Sequence, residues 1–271
     1  MTGVRSKAGP QRTVSKVPRN AGKAPNHGST PPSHGVARVI SKLGWGSRTE
    51  AAAWVGEGRV RVNGRVVRNA EHAVRQGVDR IEIDGREPKP AARVALMLNK
   101  PRGLVTTTKD EQGRATVYSC FADAALPWLA PVGRLDKASE GLLLFSNDPA
   151  WAARITDPDT GPAKTYHVQV NRLPDAELLA SLEYGVAVNG ERLAVKSARQ
   201  LRSGEKNAWL EIVLDEGRNR QIRRLLEAFD VAVLRLVRVA IGPLALGALA
   251  KGQWRLLTAE EAAHWGSRMP S

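Results

Sequence analysis

In Gly133-Arg134-Leu135-Asp136-Lys137-Ala138-Ser139-Glu140-Gly141-Leu142-Leu143-Leu144 a polar loop runs directly into an apolar, strand-like segment. The carboxylate of Asp136, set between Arg134 and Lys137 and just ahead of the strand, is carried on a rigid scaffold. Its flanking cations keep it ionised at neutral pH. A nucleophilic carboxylate needs both conditions. Taken by itself, the loop suits equally well a turn residue or the acidic half of a structural Arg–Asp pair. Two further polar constellations accompany it: Lys164-Thr165-Tyr166 opening a strand, and Glu216-Gly217-Arg218-Asn219-Arg220-Gln221-Ile222-Arg223-Arg224 opening a helix.

Around this loop the pattern alternates. Strands are expected at 95–99, 142–145, 165–170 and 209–214, and a helix at about 219–229, which is a mixed α and β arrangement. Upstream, the Pro- and Ala-rich link of residues 88–92 marks a domain boundary. Before it lies a small unit. Val36, Val39, Ile40 and Leu43 have helical spacing, Gly44 stops that helix, and Ser47 with Glu50 forms a capping box for a second. Gly58 ends the second helix. Val60, Val62, Val66 and Val67 then flank Asn63-Gly64, a strong hairpin signal, and a strand at 81–83 closes the unit. Arg38, Lys42, Arg48, Arg59, Arg61, Arg65 and Arg68 give it a basic face suited to phosphate contacts.

The chain has 271 residues with 41 Lys and Arg against 27 Asp and Glu, a net charge of +14 that points to a polyanionic partner. Six of the cations lie within residues 1–34, which are rich in Pro, Gly and Ser, contain no acid and read as a disordered basic tail. A single cysteine, Cys120, excludes an intramolecular disulfide framework and a multi-cysteine zinc site, and fits a reducing cytoplasm. The histidines have no paired spacing, so no metal is expected. The most apolar stretch, 239–250, is too short to span a bilayer, and the N-terminus lacks the apolar core of a secretory signal. No Gly-x-Gly-x-x-Gly or P-loop sequence calls for a nucleotide cofactor.

Gly44-x-x-Ser47-Arg48 followed by Gly58-Arg59-Val60-Arg61-Val62-Asn63-Gly64 resembles the RNA-binding domain named after ribosomal protein S four. Asn99-Lys100-Pro101-Arg102-Gly103, Gly-Arg-Leu-Asp with its Ser-x-Gly-Leu-Leu-Leu continuation, Lys-Thr-Tyr and Gly-Arg-Asn-Arg-Gln-Ile-Arg-Arg then follow in the order seen in RsuA-like pseudouridine synthases. The chain therefore resembles that family from Val36 to about Trp265. The resemblance implies an α+β protein: a basic tail (1–34), a small α/β RNA-binding domain (35–87), and a catalytic domain (94–266) on a mixed, mainly antiparallel sheet. It implies isomerisation of uridine to pseudouridine in ribosomal RNA, with the large-subunit RNA favoured, on naked RNA or within a pre-ribosomal particle; no cofactor is expected of a redox-neutral isomerisation, and a cytoplasmic monomer is expected because no feature requires a dimer.

The resemblance also assigns roles. Asp136 is the nucleophile, and the target nucleotide must flip out of its stack to reach it. Attack on the base, attack on the anomeric carbon and removal of a sugar proton after glycosidic cleavage all remain open at this level. Tyr166 stacks on the uracil with its hydroxyl near a proton-transfer path, although by residue type alone it reads as an ordinary strand tyrosine. Arg223 pairs with Asp136, with Arg220 the second choice, and structural pairing with Glu216 or Glu227 is the alternative. Arg134 fills the gap left by the flipped base. Lys100 and Arg102, in a loop after a strand, reach RNA phosphates or are simply solvated, and Lys164, Arg218, Arg220, Arg38, Lys42, Arg48, Arg59 and Arg61 complete the RNA-binding set. A noncatalytic ribosome-assembly protein is the competing class, against which the intact Asp136, Tyr166 and Arg223 stand. Transfer RNA is a competing substrate, because such a domain reads shape and phosphates.

Overall fold

A computed structural model describes residues 3, 32–87, 89, 91–108 and 110–266. Most of the expected basic tail lies outside these residues. Its last part is ordered: β1 (Ser33–Gly35) precedes α1 (Val36–Lys42) and pairs with β4 (Ala73–Arg75). The tail boundary expected at residue 34 therefore falls inside a strand.

Between α1 and β4 stand α2 (Arg48–Gly56), β2 (Val60–Val62) and β3 (Arg65–Val66). The Ser47–Glu50 capping box is formed, with Glu50 N donating to Ser47 Oγ at 3.1 Å and Ser47 N to Glu50 Oε2 at 2.8 Å. Asn63 (φ 50°) and Gly64 (φ 81°) make the left-handed pair that a two-residue hairpin turn requires. The strand β5 (Ile81–Ile83) adds to β2, and the helices bury Val36, Val39, Ile40, Ala51 and Val55 against Val60, Val62 and Val74.

The second part is built on a nine-stranded sheet. Its strands are β6 (Ala95–Lys100), β7 (Ala130–Val132), β8 (Glu140–Ser146), β9 (Lys164–Val170), β12 (Ser197–Ser203), β13 (Ala208–Leu214), β14 (Val233–Ile241), β15 (Leu244–Ala245) and β16 (Trp254–Leu256). A hairpin of β10 (Val186–Val188) and β11 (Glu191–Leu193) stands apart from it. The main path runs β12-β13-β9-β14-β8-β6-β16, and every pair is antiparallel except β14 with β8. This is the mixed, mainly antiparallel α+β fold that the sequence implies.

Residues of β6 and β8 are buried on both faces. Leu96, Leu98, Leu143 and Phe145 join Val168, Leu210 and Ile212 on one side, while Met97, Leu142 and Leu144 meet Trp151 and Ile155 of α3 (Pro149–Thr156) on the other. Full burial of each such side chain stabilises the fold by roughly 1.5–3 kcal/mol. The helices α4 (Ala176–Tyr184), α5 (Gln221–Glu227) and α6 (Ala259–Ala263) and a short 3-10 helix at Val117–Phe121 complete the described elements, and Trp151 Nε1 donates to Ala262 O at 3.0 Å, tying α3 to α6.

The central strand β14 was absent from the expected elements. Its register against β9 shifts between Val233 and Arg235 and again between Arg238 and Ala240, so the two-residue alternation that betrays a strand is reset twice. The parallel contact with β8 depends on Gly141 (φ 101°), where a Cβ would stand 2.2 Å from Arg238 O.

Candidate active site

The loop that carries Asp136 joins β7 to β8 and is gripped at each successive carbonyl. Leu135 O accepts from Thr106 Oγ1 (2.8 Å), and Asp136 O from Ser139 N (2.9 Å) and Lys100 Nζ (3.2 Å). Lys137 O accepts from Gly103 N (2.8 Å), Ala138 O from Arg223 Nη2 (3.3 Å), and Ser139 O from Lys100 Nζ (2.8 Å). The carboxylate of Asp136, in contrast, accepts no hydrogen bond and forms no ion pair among the described residues. The backbone is fixed while the functional group is left for a ligand.

Lys100 is where the sequence expectation needs correcting. It ends β6 rather than riding in a solvated loop, and it is fully buried, so it cannot reach RNA phosphates. Its ammonium bonds to Pro101 O (3.1 Å) as well as to Asp136 O and Ser139 O. Burial pushes its pKa down to about 8, against the favourable fields of Asp136, Cys120 and Glu140. Two of these bonds fasten the end of β6 to the Asp136 loop.

The expected Arg223–Asp136 ion pair is also absent. Arg223 donates to Ala138 O and, at 3.4 Å, to Val233 O, and its Nε is buried with no partner. Burial and then Arg220 push its pKa down, while Asp136 pulls it up, so the two groups sense each other without touching. The guanidinium instead bridges two backbone carbonyls, one in the Asp136 loop and one in β14.

Asp136 opens onto a cleft of about 680 Å³. Its apolar wall is made by Val132, Leu135, Ile155, Leu214, Leu236 and Ile241, and its polar lining includes Tyr166, Lys164, Arg238, Asn219 and Arg220. Tyr166, only 8% exposed, projects from β9 directly opposite Arg238 of β14. Lys164 begins β9, and burial followed by the charge of Arg238 pushes its pKa down. Arg134 is exposed and stands between this cleft and a recess of about 430 Å³ on the other side of the loop.

The remaining cations divide into two groups. Arg220 has a left-handed backbone (φ 48°) just ahead of α5, is exposed at the cleft, and has no ion pair among the described residues; Arg102 is likewise exposed and unpaired. Arg218 is taken up by Glu216 (2.7 Å) and Glu191 (3.1 Å), which corrects its reading as a free phosphate ligand, while Arg223 pairs with neither Glu216 nor Glu227. In the N-terminal unit, Arg59 is locked bidentately on Asp84 (2.9 and 2.7 Å) and also reaches Glu57, another correction, and Arg48 lies 3.5 Å from Glu71. Arg38, Lys42 and Arg61 carry no ion pair among the described residues and keep their charge available. Arg238 was missed by the sequence reading, although a lone arginine inside the apolar run Leu236–Ile241 is a signal that something polar lies within.

A family model described as RNA pseudouridylate synthase matches residues 94–228, and one described as S4 domain matches residues 36–79. An RNA pseudouridine synthase of Aquifex aeolicus is 37% identical over 229 residues, covering 84% of this chain and 92% of the relative. This chain belongs to the RNA pseudouridine synthase family. A Bacillus subtilis relative, named ribosomal large subunit pseudouridine synthase B, is 35% identical over 226 residues, covering 83% of this chain and 92% of its own length. Among solved structures, the crystal structure of a pseudouridylate synthase matches with a TM-score of 0.60 at 28% identity, covering 86% of this chain and 100% of that one. The protein is an RNA uridine isomerase with an S4 domain preceding its catalytic domain.

Proposed function

We propose that the protein isomerises uridine in large-subunit ribosomal RNA with Asp136 as its nucleophile. The observation that carries the assignment is a carboxylate without protein partners on a loop held at each carbonyl from Leu135 to Ser139. Such pre-organisation keeps the group in reacting position without using the group itself. The choice of RNA is supported by the Bacillus subtilis relative named for the large ribosomal subunit.

In this reading a flipped uridine enters the cleft, its base lying on the Tyr166 ring beside the apolar wall. The bond from the sugar C1′ to N1 breaks, the base turns, and C1′ bonds to C5. The proton lost from C5 leaves to solvent and N1 gains one. The change is redox-neutral and needs no electron carrier or phosphoryl donor. Asp136 reaches the reacting ring, the Tyr166 hydroxyl lies along the proton path, and Arg223 holds Ala138 so that the nucleophile does not drift. Arg134 enters the vacated stack. Arg220, Arg102 and Lys164 meet nearby phosphates, and Arg38, Lys42 and Arg61 bind RNA farther away. The protein acts as a cytoplasmic monomer on RNA that is naked or in an assembling particle. Among the described residues no helix is long and apolar enough to cross a membrane.

Tritium release tests this. Large-subunit transcripts labelled at uridine C5 should lose tritium to water with the full-length protein and retain it with Asp136→Asn. Release by the variant at the wild-type rate removes Asp136 from the chemistry; release from transfer RNA alone replaces the substrate.

A further inference from the structure

Arg238 combines deep burial with guanidinium donors that find no partner among the described residues. It is only 5% exposed, yet it has no carboxylate partner among the described residues. Its Nε donates to Leu142 O at 2.7 Å, which fixes the plane of the guanidinium. Among the described residues its Nη2 is enclosed without a partner, and Nη1 makes no bond. Arg235, three residues earlier on the same strand, shows the usual arrangement: its Nε and Nη2 both donate to the buried carboxylate of Glu140 at 3.1 Å. An unpaired guanidinium in such surroundings is costly unless an acceptor arrives.

Arg238 also lines the cleft, and so does Lys164, whose charge is opposed by that of Arg238. Two neighbouring cations, both withdrawn from water, create a site for an anion. A neutral carbonyl of the base would leave their repulsion uncompensated, whereas a phosphate oxygen supplies the charge and matches the fork of an arginine.

We propose that Arg238, with Lys164 beside it, holds the phosphate of the nucleotide drawn into the cleft. Arg238 is thus a substrate-positioning residue that tethers the flipped nucleotide by its backbone while Tyr166, its direct cross-strand neighbour, carries the base. The inference rests on the RNA substrate of the proposed function, but free nucleotides test it separately.

The test uses the full-length protein, uridine 5′-monophosphate and uridine. Because Nε–H of Arg238 is hydrogen-bonded and buried, its NMR resonance can be assigned by comparison with Arg238→Lys, which lacks it. The monophosphate should shift that resonance and bind at least tenfold more tightly than uridine, and Arg238→Gln and Lys164→Gln should each abolish most of that preference. If uridine shifts the resonance as strongly as its monophosphate, Arg238 reads the base and the phosphate assignment is wrong. If neither moves it, Arg238 is structural. The affinity comparison of the monophosphate with uridine is made on wild-type protein and survives a failure of the variants to fold: equal affinities for the two overturn the phosphate assignment. Tritium release from ribosomal RNA, measured in parallel, fails or succeeds independently, so loss of the phosphate site and loss of the proposed activity are told apart.

Discussion

Replacing Lys100 by methionine separates a positioning lysine from an RNA-binding one. The side chain is fully buried and its ammonium is held by three carbonyls, two of them in the Asp136 loop. Bonds from a charged donor contribute roughly 1.5–3 kcal/mol each, about 6 kcal/mol in total. Against this stands the burial cost: a pKa lowered from 10.5 to about 8 represents about 3.5 kcal/mol at roughly 1.4 kcal/mol per pH unit. Methionine, similar in length and apolar, should therefore cost on the order of 2–4 kcal/mol at pH 7, with Asp136 O and Ser139 O left short of donors. Urea unfolding measures it. The kcat should fall about 10- to 100-fold as the loop loosens, with KM little changed. The pH dependence has a defined sign. Because the folded value lies below the unfolded one, the unfolded chain binds more protons between about pH 8 and 10.5, so wild-type stability gains on that of Lys100→Met across this window and the gap is flat below it. A rise in KM with unchanged kcat and stability, the signature of a lost phosphate contact, would refute the positioning role.

Other substitutions probe the frame around the loop. Gly141→Ala places a methyl 2.2 Å from Arg238 O at a φ of 101°, so the parallel β8–β14 contact should part and little folded protein be recovered, as read by circular dichroism of the purified chain. Glu140→Gln removes the buried carboxylate that joins Arg235 and Lys251. Because both partners are partly exposed and can return to water, the expected cost is about 1–3 kcal/mol in urea unfolding rather than the larger figure for a wholly enclosed pair. Glu261→Gln keeps an acceptor for the α6 capping box but removes the bidentate ion pair with Arg255. The Arg255 guanidinium holds the Glu261 carboxyl near 2, below its usual 4.5, so the stability that the wild type has over this variant should be present above pH 4.5 and vanish as the pH falls through about 2.

How far the sequence discloses such features varies with the kind of interaction. The capping box at Ser47–Glu50 and the Asn63-Gly64 turn are local, so their residues announce them. The strands around Leu142 and Tyr166 are legible from apolar and alternating runs. The strand β14 is not, since two register shifts and arginines at 235 and 238 break its period. At the site, Asp136 and Tyr166 do line one cleft. The error at Lys100 arose because a lysine before Pro-Arg-Gly looks solvated, and only the fold reveals that the carbonyls of Pro101, Asp136 and Ser139 converge on it. Likewise a sequence shows Arg59 and Arg218 as charge but not as charge already neutralised by Asp84, Glu191 and Glu216 across turns and hairpins.

The most direct test of Asp136 as the nucleophile of a ribosomal RNA isomerase is site-resolved pseudouridine mapping of total RNA. Cells with the intact protein, without it, and with Asp136→Asn in its place should be compared, with the variant's abundance verified. One or a few large-subunit uridines should remain unmodified in the second and third strains alone. Unchanged modification in the Asp136→Asn strain, with the same sites lost when the protein is absent, would contradict the assignment of the nucleophile; no lost site in either strain, with defective ribosome assembly, would contradict the activity on ribosomal RNA itself.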